Sequence, residues 1–135
     1  MATTMKMLKG ETSLDGYGAR KSFYGKCGVR NVDGVLFLRS YDTKYYAAAY
    51  NGMLFSLCGK WTATSGRHLD AFATYANAEY HGKCGTGKKD YRSWNGMPYI
   101  EPEPYLVNGG ERDLVEEIKE AYTNITTAPD QWLSA

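Results

Sequence analysis

Two short runs of this chain hold the side chains best suited to chemistry. One is Arg39-Ser40-Tyr41-Asp42-Thr43; the other is Trp61-Thr62-Ala63-Thr64-Ser65-Gly66-Arg67-His68-Leu69, with Phe72 close behind. Arg39, Ser40, Tyr41, Thr43, Trp61, Thr62, Thr64, Arg67 and His68 together offer guanidinium, hydroxyl, imidazole and aromatic groups. Arginine and hydroxyls give directional donors to an anion, and a helix opening near Thr64 adds backbone N–H groups aimed the same way. Tyr41 and Trp61 present flat rings on which a base can stack. The expectation is a surface that holds a polar or anionic ligand, or a partner. A purely architectural role stays open, with Thr62 and Thr64 as helix caps and Trp61 as a plug in the core.

Catalytic chemistry finds less support. Nucleophilic catalysis needs a Ser, Cys or Thr beside a base such as His68. His68 is expected in the first turn of a helix among Thr62, Thr64, Ser65 and Arg67, which suits a residue hydrogen-bonded to its neighbours. No G-x-S-x-G elbow, no HExxH and no carboxylate pair with an evident role occurs. Gly82-Lys83-Cys84-Gly85-Thr86-Gly87-Lys88-Lys89 approaches a phosphate-binding P-loop, but Lys89 stands where a magnesium-binding Ser or Thr belongs. It reads as a basic loop in which Lys83, Lys88, Lys89 and the later Arg92 can touch phosphates without specificity. His81 and Cys84 with Cys27 and Cys58 lack the two close ligand pairs of a zinc site. No catalytic residue, metal or cofactor is expected.

These runs need elements to hold them. Ser22 to Arg30 reads as a strand, with Gly25 and Gly28 as weak points. Asn31 to Gly34 is a turn, and Val35-Leu36-Phe37-Leu38 suits a strand buried on both faces. Lys44 to Tyr50 and Met53 to Cys58 flank Asn51-Gly52, the strongest short hairpin signal because both residues tolerate positive φ. A helix from Thr64 or Ser65 carries Leu69, Phe72, Ala73, Ala76 and Tyr80 at helical spacing and ends at Gly82. Asp90 to Trp94 reads as a short helix. Met97 to Val107, with Pro98, Pro102 and Pro104, reads as an extended linker. After Asn108-Gly109-Gly110, Leu114, Val115, Ile118, Ala121, Tyr122 and Ile125 form one apolar stripe of a helix.

The fold class that follows is α+β: an antiparallel meander of three or four strands packed on a helix, plus a C-terminal amphipathic helix. Residues 1–20 are expected to be a flexible N-terminal segment, 21–96 the core domain, and 97–135 the linker with its acidic helix. That helix either closes the same domain or exchanges with a second copy in a homodimer, since its apolar stripe must be buried somewhere.

Charge divides along the same boundary. Residues 1–100 hold 14 Lys and Arg against 7 Asp and Glu, whereas residues 101–135 hold 2 against 8. Glu111, Asp113, Glu116, Glu117 and Glu120 concentrate the negative charge on one helix, a candidate partner interface that imitates nucleic acid. The basic body is the alternative, as a surface that contacts nucleic acid directly. The two halves can also offset one another within the fold. At 135 residues with three cysteines and no CxxC, one intracellular domain without a disulfide framework is expected. No apolar run is long enough to cross a membrane, and the N-terminus lacks the apolar core of a signal peptide.

Ser40-Tyr41-Asp42-Thr43 and Trp61-Thr62-Ala63-Thr64-Ser65-Gly66-Arg67-His68-Leu69-Asp70-Ala71-Phe72 resemble a pattern shared by small uncharacterised proteins of phages and mobile elements. The pattern is S-Y-x-T, a short hairpin, then W-[ST]-x-T-[ST]-x-R-H-[LIV]-x-x-F. Lys21 to Lys26 is similar to the strand that precedes it. The likeness spans residues 20–95, and the segment from Met97 onward departs from it. It carries no established activity. It implies a phage accessory protein in the cytoplasm of a bacterial host, of the kind that counters host defence. Its partner would be a bacterial defence protein, such as a CRISPR nuclease effector, or the nucleotide signal of one.

Overall fold

The computed structural model describes residues 10–14, 26–58, 63–78, 93–94 and 97–127. Five strands, β1 (Thr12–Ser13), β2 (Cys27–Val32), β3 (Val35–Ser40), β4 (Thr43–Tyr50) and β5 (Met53–Ser56), form one antiparallel sheet in chain order. Helix α1 (Ala63–Ala76) follows, then a small antiparallel pair, β6 (Ser93–Trp94) with β7 (Met97–Pro98). The chain closes with α2 (Glu103–Gly109) and α3 (Glu111–Thr127). The class is α+β, with an antiparallel meander and a C-terminal amphipathic helix.

Turn chemistry sets the meander. Asp33-Gly34 (φ 54° and 92°) joins β2 to β3, with the Gly34 N–H donating to Asn31 Oδ1 at 3.0 Å. Asn51-Gly52 (φ 51° and 84°) joins β4 to β5 as the dipeptide predicts. Between β3 and β4 the register slips, so that Lys44, Tyr45 and Tyr46 stand opposite the single residue Arg39. Around this bulge Tyr46 and Ala47 both join the cluster under α1, while Tyr45 packs toward the other face.

Both faces of the sheet are covered. On one, Leu69 and Phe72 of α1 meet Val29, Leu38 and Leu54; on the other, Leu114, Val115, Ile118, Ala121 and Ile125 of α3 meet Val35, Phe37, Met53 and Phe55. Ala47, Ala48 and Ala49 are buried in the middle layer. Alanine is a poor strand former by itself, but here small side chains let two helical layers approach the same strand. The stripe of α3 is therefore buried within its own chain.

Four elements differ from the sequence expectation. Thr12–Ser13, in the stretch expected to be flexible, is an edge strand paired with β2, and the adjoining Leu14 is fully buried. Helix α1 starts at Ala63 and stops at Ala76, not at Gly82. Asn77 takes a left-handed conformation (φ 53°) and the Ala78 N–H donates to the Ala73 carbonyl at 3.0 Å, closing the end. Ser93–Trp94 is a strand where a helix was expected. Pro102 and Pro104 open α2 rather than extend a linker, because first-turn N–H groups have no helical acceptor and proline sacrifices nothing there.

Candidate functional site

Among the described members of the nine residues singled out around the β3–β4 hairpin, Arg39 and Ser40 do not share a surface. Arg39 and Ser40 are neighbours on β3, and neighbours on a strand point to opposite faces. Ser40 Oγ lies 2.8 Å from His68 Nδ1 on α1, with Ser40 2% and His68 0% exposed. Tyr41, in a left-handed turn conformation (φ 54°), tilts its ring against His68 at 5.2 Å between centroids. Because α1 begins at Ala63, His68 falls in the second helical turn and faces the sheet, not in the exposed first turn.

Arg39 goes the other way. Directly opposite it on β2 is Gly28, which has no side chain to block the path toward β1. The Arg39 guanidinium donates from Nε to Glu11 Oε2 at 2.7 Å and from Nη2 to Glu11 Oε1 at 3.1 Å. Its Nη1 donates to the Tyr41 carbonyl at 2.8 Å. The two side chains are 4% and 0% exposed. Such a pair is a bidentate fork held out of water, and its guanidinium is committed to Glu11.

Of the remaining candidates, Thr43 and Arg67 are exposed. Thr64 sits in the first turn of α1, its side chain outside those described, and Trp61 and Thr62 lie outside the described residues. The same holds for His81, Cys84, Arg92 and the basic loop from Gly82 to Lys89. Among the described residues no group of three or more His, Cys, Asp or Glu is placed to hold a metal. Ser40 and His68 have the spacing of a nucleophile and base, yet burial on both sides makes the contact one of core packing in this conformation.

The acidic helix also divides. Glu111 turns toward the sheet. Its Oε1 accepts from Arg30 Nη1 at 3.2 Å, and its Oε2 accepts from Arg30 Nη2 and from the Tyr45 hydroxyl, both at 2.6 Å. The Arg30 guanidinium also lies 5.7 Å from the Phe37 ring centre and 5.8 Å from that of Tyr45. Burial works against the Glu111 carboxylate, but Arg30 and the Tyr45 hydroxyl outweigh it and hold its pKa below the ordinary carboxylate value. Burial and the Glu111 charge push the Tyr45 hydroxyl up to about 12. No spacing rule pairs residues 30, 45 and 111, so nothing in the sequence signalled this cluster.

Asp113, Glu116, Glu117 and Glu120 stay on the outer side of α3. Glu116 and Glu120 are exposed, Asp113 and Glu117 half-buried. At i, i+3, i+4 and i+7 they form one ridge. Lys119 is turned from it to Asp33, its Nζ 3.0 Å from Oδ2. Among the described residues no helix is long and apolar enough to cross a membrane. No protein-family model matches the chain, and neither a curated protein nor a solved structure matches it.

Proposed function

We propose that this is a non-enzymatic, phage-type accessory protein that inhibits a bacterial defence nuclease by presenting the outer ridge of α3 to its nucleic-acid channel. The observation that carries this reading is the placement of Asp113, Glu116, Glu117 and Glu120 along one flank of a helix anchored by five buried residues. From Asp113 to Glu120 the helix rises about 10 Å, or roughly 3.5 Å of axis per charge, near the 3.4 Å per phosphate of one DNA strand. An anchored helix presents these charges without an ordering cost on binding. The resemblance of the Arg39–Phe72 block supplies the bacterial and phage setting, and the cytoplasm of the host as the place of action.

Two other readings draw less support. A nucleotide-sequestering protein would use Arg39, Tyr41, Trp61, Arg67 and His68, and of these Arg39 and His68 are buried against Glu11 and Ser40. A nucleic-acid-binding protein would use the basic body, where Arg30 and Arg39 are already neutralised by Glu111 and Glu11. The deciding experiment is the E116K/E117K/E120K variant in a cleavage assay against a panel of bacterial RNA-guided nucleases. Inhibition by the parent chain and its loss in the variant is the expected result. Equal inhibition by both excludes the ridge. Retention of the parent on a DNA column, weakening steeply with salt, favours the basic body instead.

A further inference from the structure

Helix α3 meets the sheet through two kinds of contact that constrain it differently. Its apolar stripe is wide: at about 100° per residue, Leu114, Val115, Ile118, Ala121 and Ile125 span roughly 120° of its circumference. Burial of such a stripe is non-directional, so it holds the helix down over a range of rotations about its own axis. Direction comes from polar contacts at the first residue. Glu111 accepts both prongs of the Arg30 fork and the Tyr45 hydroxyl, three donors from two strands on one carboxylate. Position 111 falls inside the sector of the stripe, where an apolar side chain would extend it without a desolvated charge. About two turns further on, Lys119 pairs with Asp33, so the β2–β3 hairpin meets α3 a second time.

The sheet departs from regular register to make that contact. Strict alternation counted back from Ala48, which lies under α3, would put Tyr46 on the α3 face and Tyr45 on the α1 face. The observed placement is the reverse: Tyr46 joins Leu38 and Ala47 in the α1 cluster, and Tyr45 packs with the α3 cluster. The slip between Leu38 and Ser40 makes the difference, re-aiming one side chain as a β-bulge does. Tyr45 then stands edge-on to Phe37 at 5.5 Å between ring centres, and Phe37 is the residue opposite Arg30 on the neighbouring strand. The guanidinium lies against both rings, in a seat that turns its fork to Glu111.

We infer that Arg30 and Tyr45 are positioning residues for the acidic ridge: through Glu111 they set the rotation of α3, and so the direction in which its outer carboxylates face. Glu116, Glu117 and Glu120 lie about 140–240° round the helix from Glu111, on the side away from that contact. With side chains reaching about 5–6 Å from the axis, a rotation of roughly 20° carries each carboxylate roughly 2 Å sideways. That is enough to lose a charge-assisted hydrogen bond to a partner, which forms at about 2.7–2.9 Å. The inference rests on the proposed binding through the ridge and deepens it: the ridge supplies the charge, and the bulged sheet aims it.

The test compares full-length variants with the parent by melting temperature, by residual dipolar couplings along α3, and by inhibition in the nuclease panel. Arg30→Met with Glu111→Met replaces the pair by apolar side chains of similar volume and is expected to melt within about 3 °C of the parent. The phase of its α3 couplings, which reports rotation of the helix against the sheet, is expected to shift. Inhibition should weaken about tenfold, as for one lost charge-assisted hydrogen bond. Arg30→Lys keeps the charge without the fork and should shift the phase in the same sense; Tyr45→Phe, which removes a single hydroxyl, should do so by less. Unmoved couplings in all three variants overturn the inference, whatever the melting temperatures, and leave the cluster a purely stabilising one. If couplings move while inhibition holds, the contact with α3 stands and the ridge falls. If couplings and inhibition hold in these variants while E116K/E117K/E120K loses inhibition, the ridge stands and the positioning role falls. A parent that inhibits no nuclease removes the ridge reading, and the couplings alone then decide whether Arg30 and Tyr45 set the helix.

Discussion

Replacing Glu11 by alanine separates an architectural Arg39 from a ligand-binding one. In the folded chain the Arg39 guanidinium is 4% exposed and forked onto a carboxylate that is 0% exposed. Deleting the carboxylate leaves a desolvated cation whose charge has lost its counter-ion, a change that costs about 3–5 kcal/mol in comparable buried pairs. A 135-residue domain has roughly 7–20 kcal/mol in hand, so the variant still folds. Its entropy of unfolding, near 0.3 kcal/mol/K by size, converts the loss to a fall in Tm of about 10–18 °C. Glu11→Met with Arg39→Met removes both charges together, and is expected to recover most of that loss, because an apolar pair of similar volume needs no desolvation. Thermal unfolding followed by circular dichroism, with the single and double variants in one cycle, measures the coupling directly. A Glu11→Ala variant that melts within about 2 °C of the parent would show that Arg39 does not depend on Glu11. The guanidinium would then be available to an anion, and the assignment of Arg39 to the fold would be wrong.

The Arg30–Tyr45–Glu111 cluster makes α3 docking sensitive to pH at both ends. The folded Glu111 pKa is depressed, so its contribution is complete above the unfolded carboxylate value and is lost as pH falls through the folded one. Melting curves across the acid range should therefore converge for the parent and Glu111→Gln as the pH drops. At the alkaline end the raised Tyr45 contributes fully below pH 10 and loses its contribution as pH climbs toward 12, seen as one tyrosine ionising late in an ultraviolet titration. Glu111→Gln should bring that ionisation earlier; an unmoved tyrosine would refute the contact. Ser40→Ala removes the hydroxyl from His68 Nδ1 inside the core and should cost about 1–3 kcal/mol by denaturant unfolding. The imidazole nitrogen shifts should change with it and the proposed nuclease inhibition should not, whereas lost inhibition without lost stability would make Ser40 a working residue.

What could be read from the sequence was what depends on near neighbours. Asn51-Gly52 announces its hairpin because both residues accept positive φ, and the α3 stripe announces its helix because one face is apolar at every turn. The continuous run at Val35 to Leu38 marks a strand covered on both sides, as it is. What escaped depends on partners distant in the chain. Thr12 and Ser13 carry no strand signal; they form an edge strand between Glu11, which answers Arg39, and Leu14, which enters the core beneath α1.

The Arg39-Ser40-Tyr41 run divides for a related reason. Arg39, Ser40 and Tyr41 look like one cluster when written in a line, but the pleat sends the guanidinium and the hydroxyl to opposite faces. Each then finds a buried partner the line does not show: Glu11, 28 residues earlier, and His68, 28 residues later. A basic or hydroxyl-rich run on an interior strand is more readily used up by the fold than on a helix exposed on one side. There, as in Asp113 to Glu120, the period of 3.6 keeps like charges together on the water-facing flank. The same physics that takes up the first cluster leaves Glu116 and Glu120 exposed on α3, and that difference, more than the count of charges in either, is why the proposed function is placed on α3.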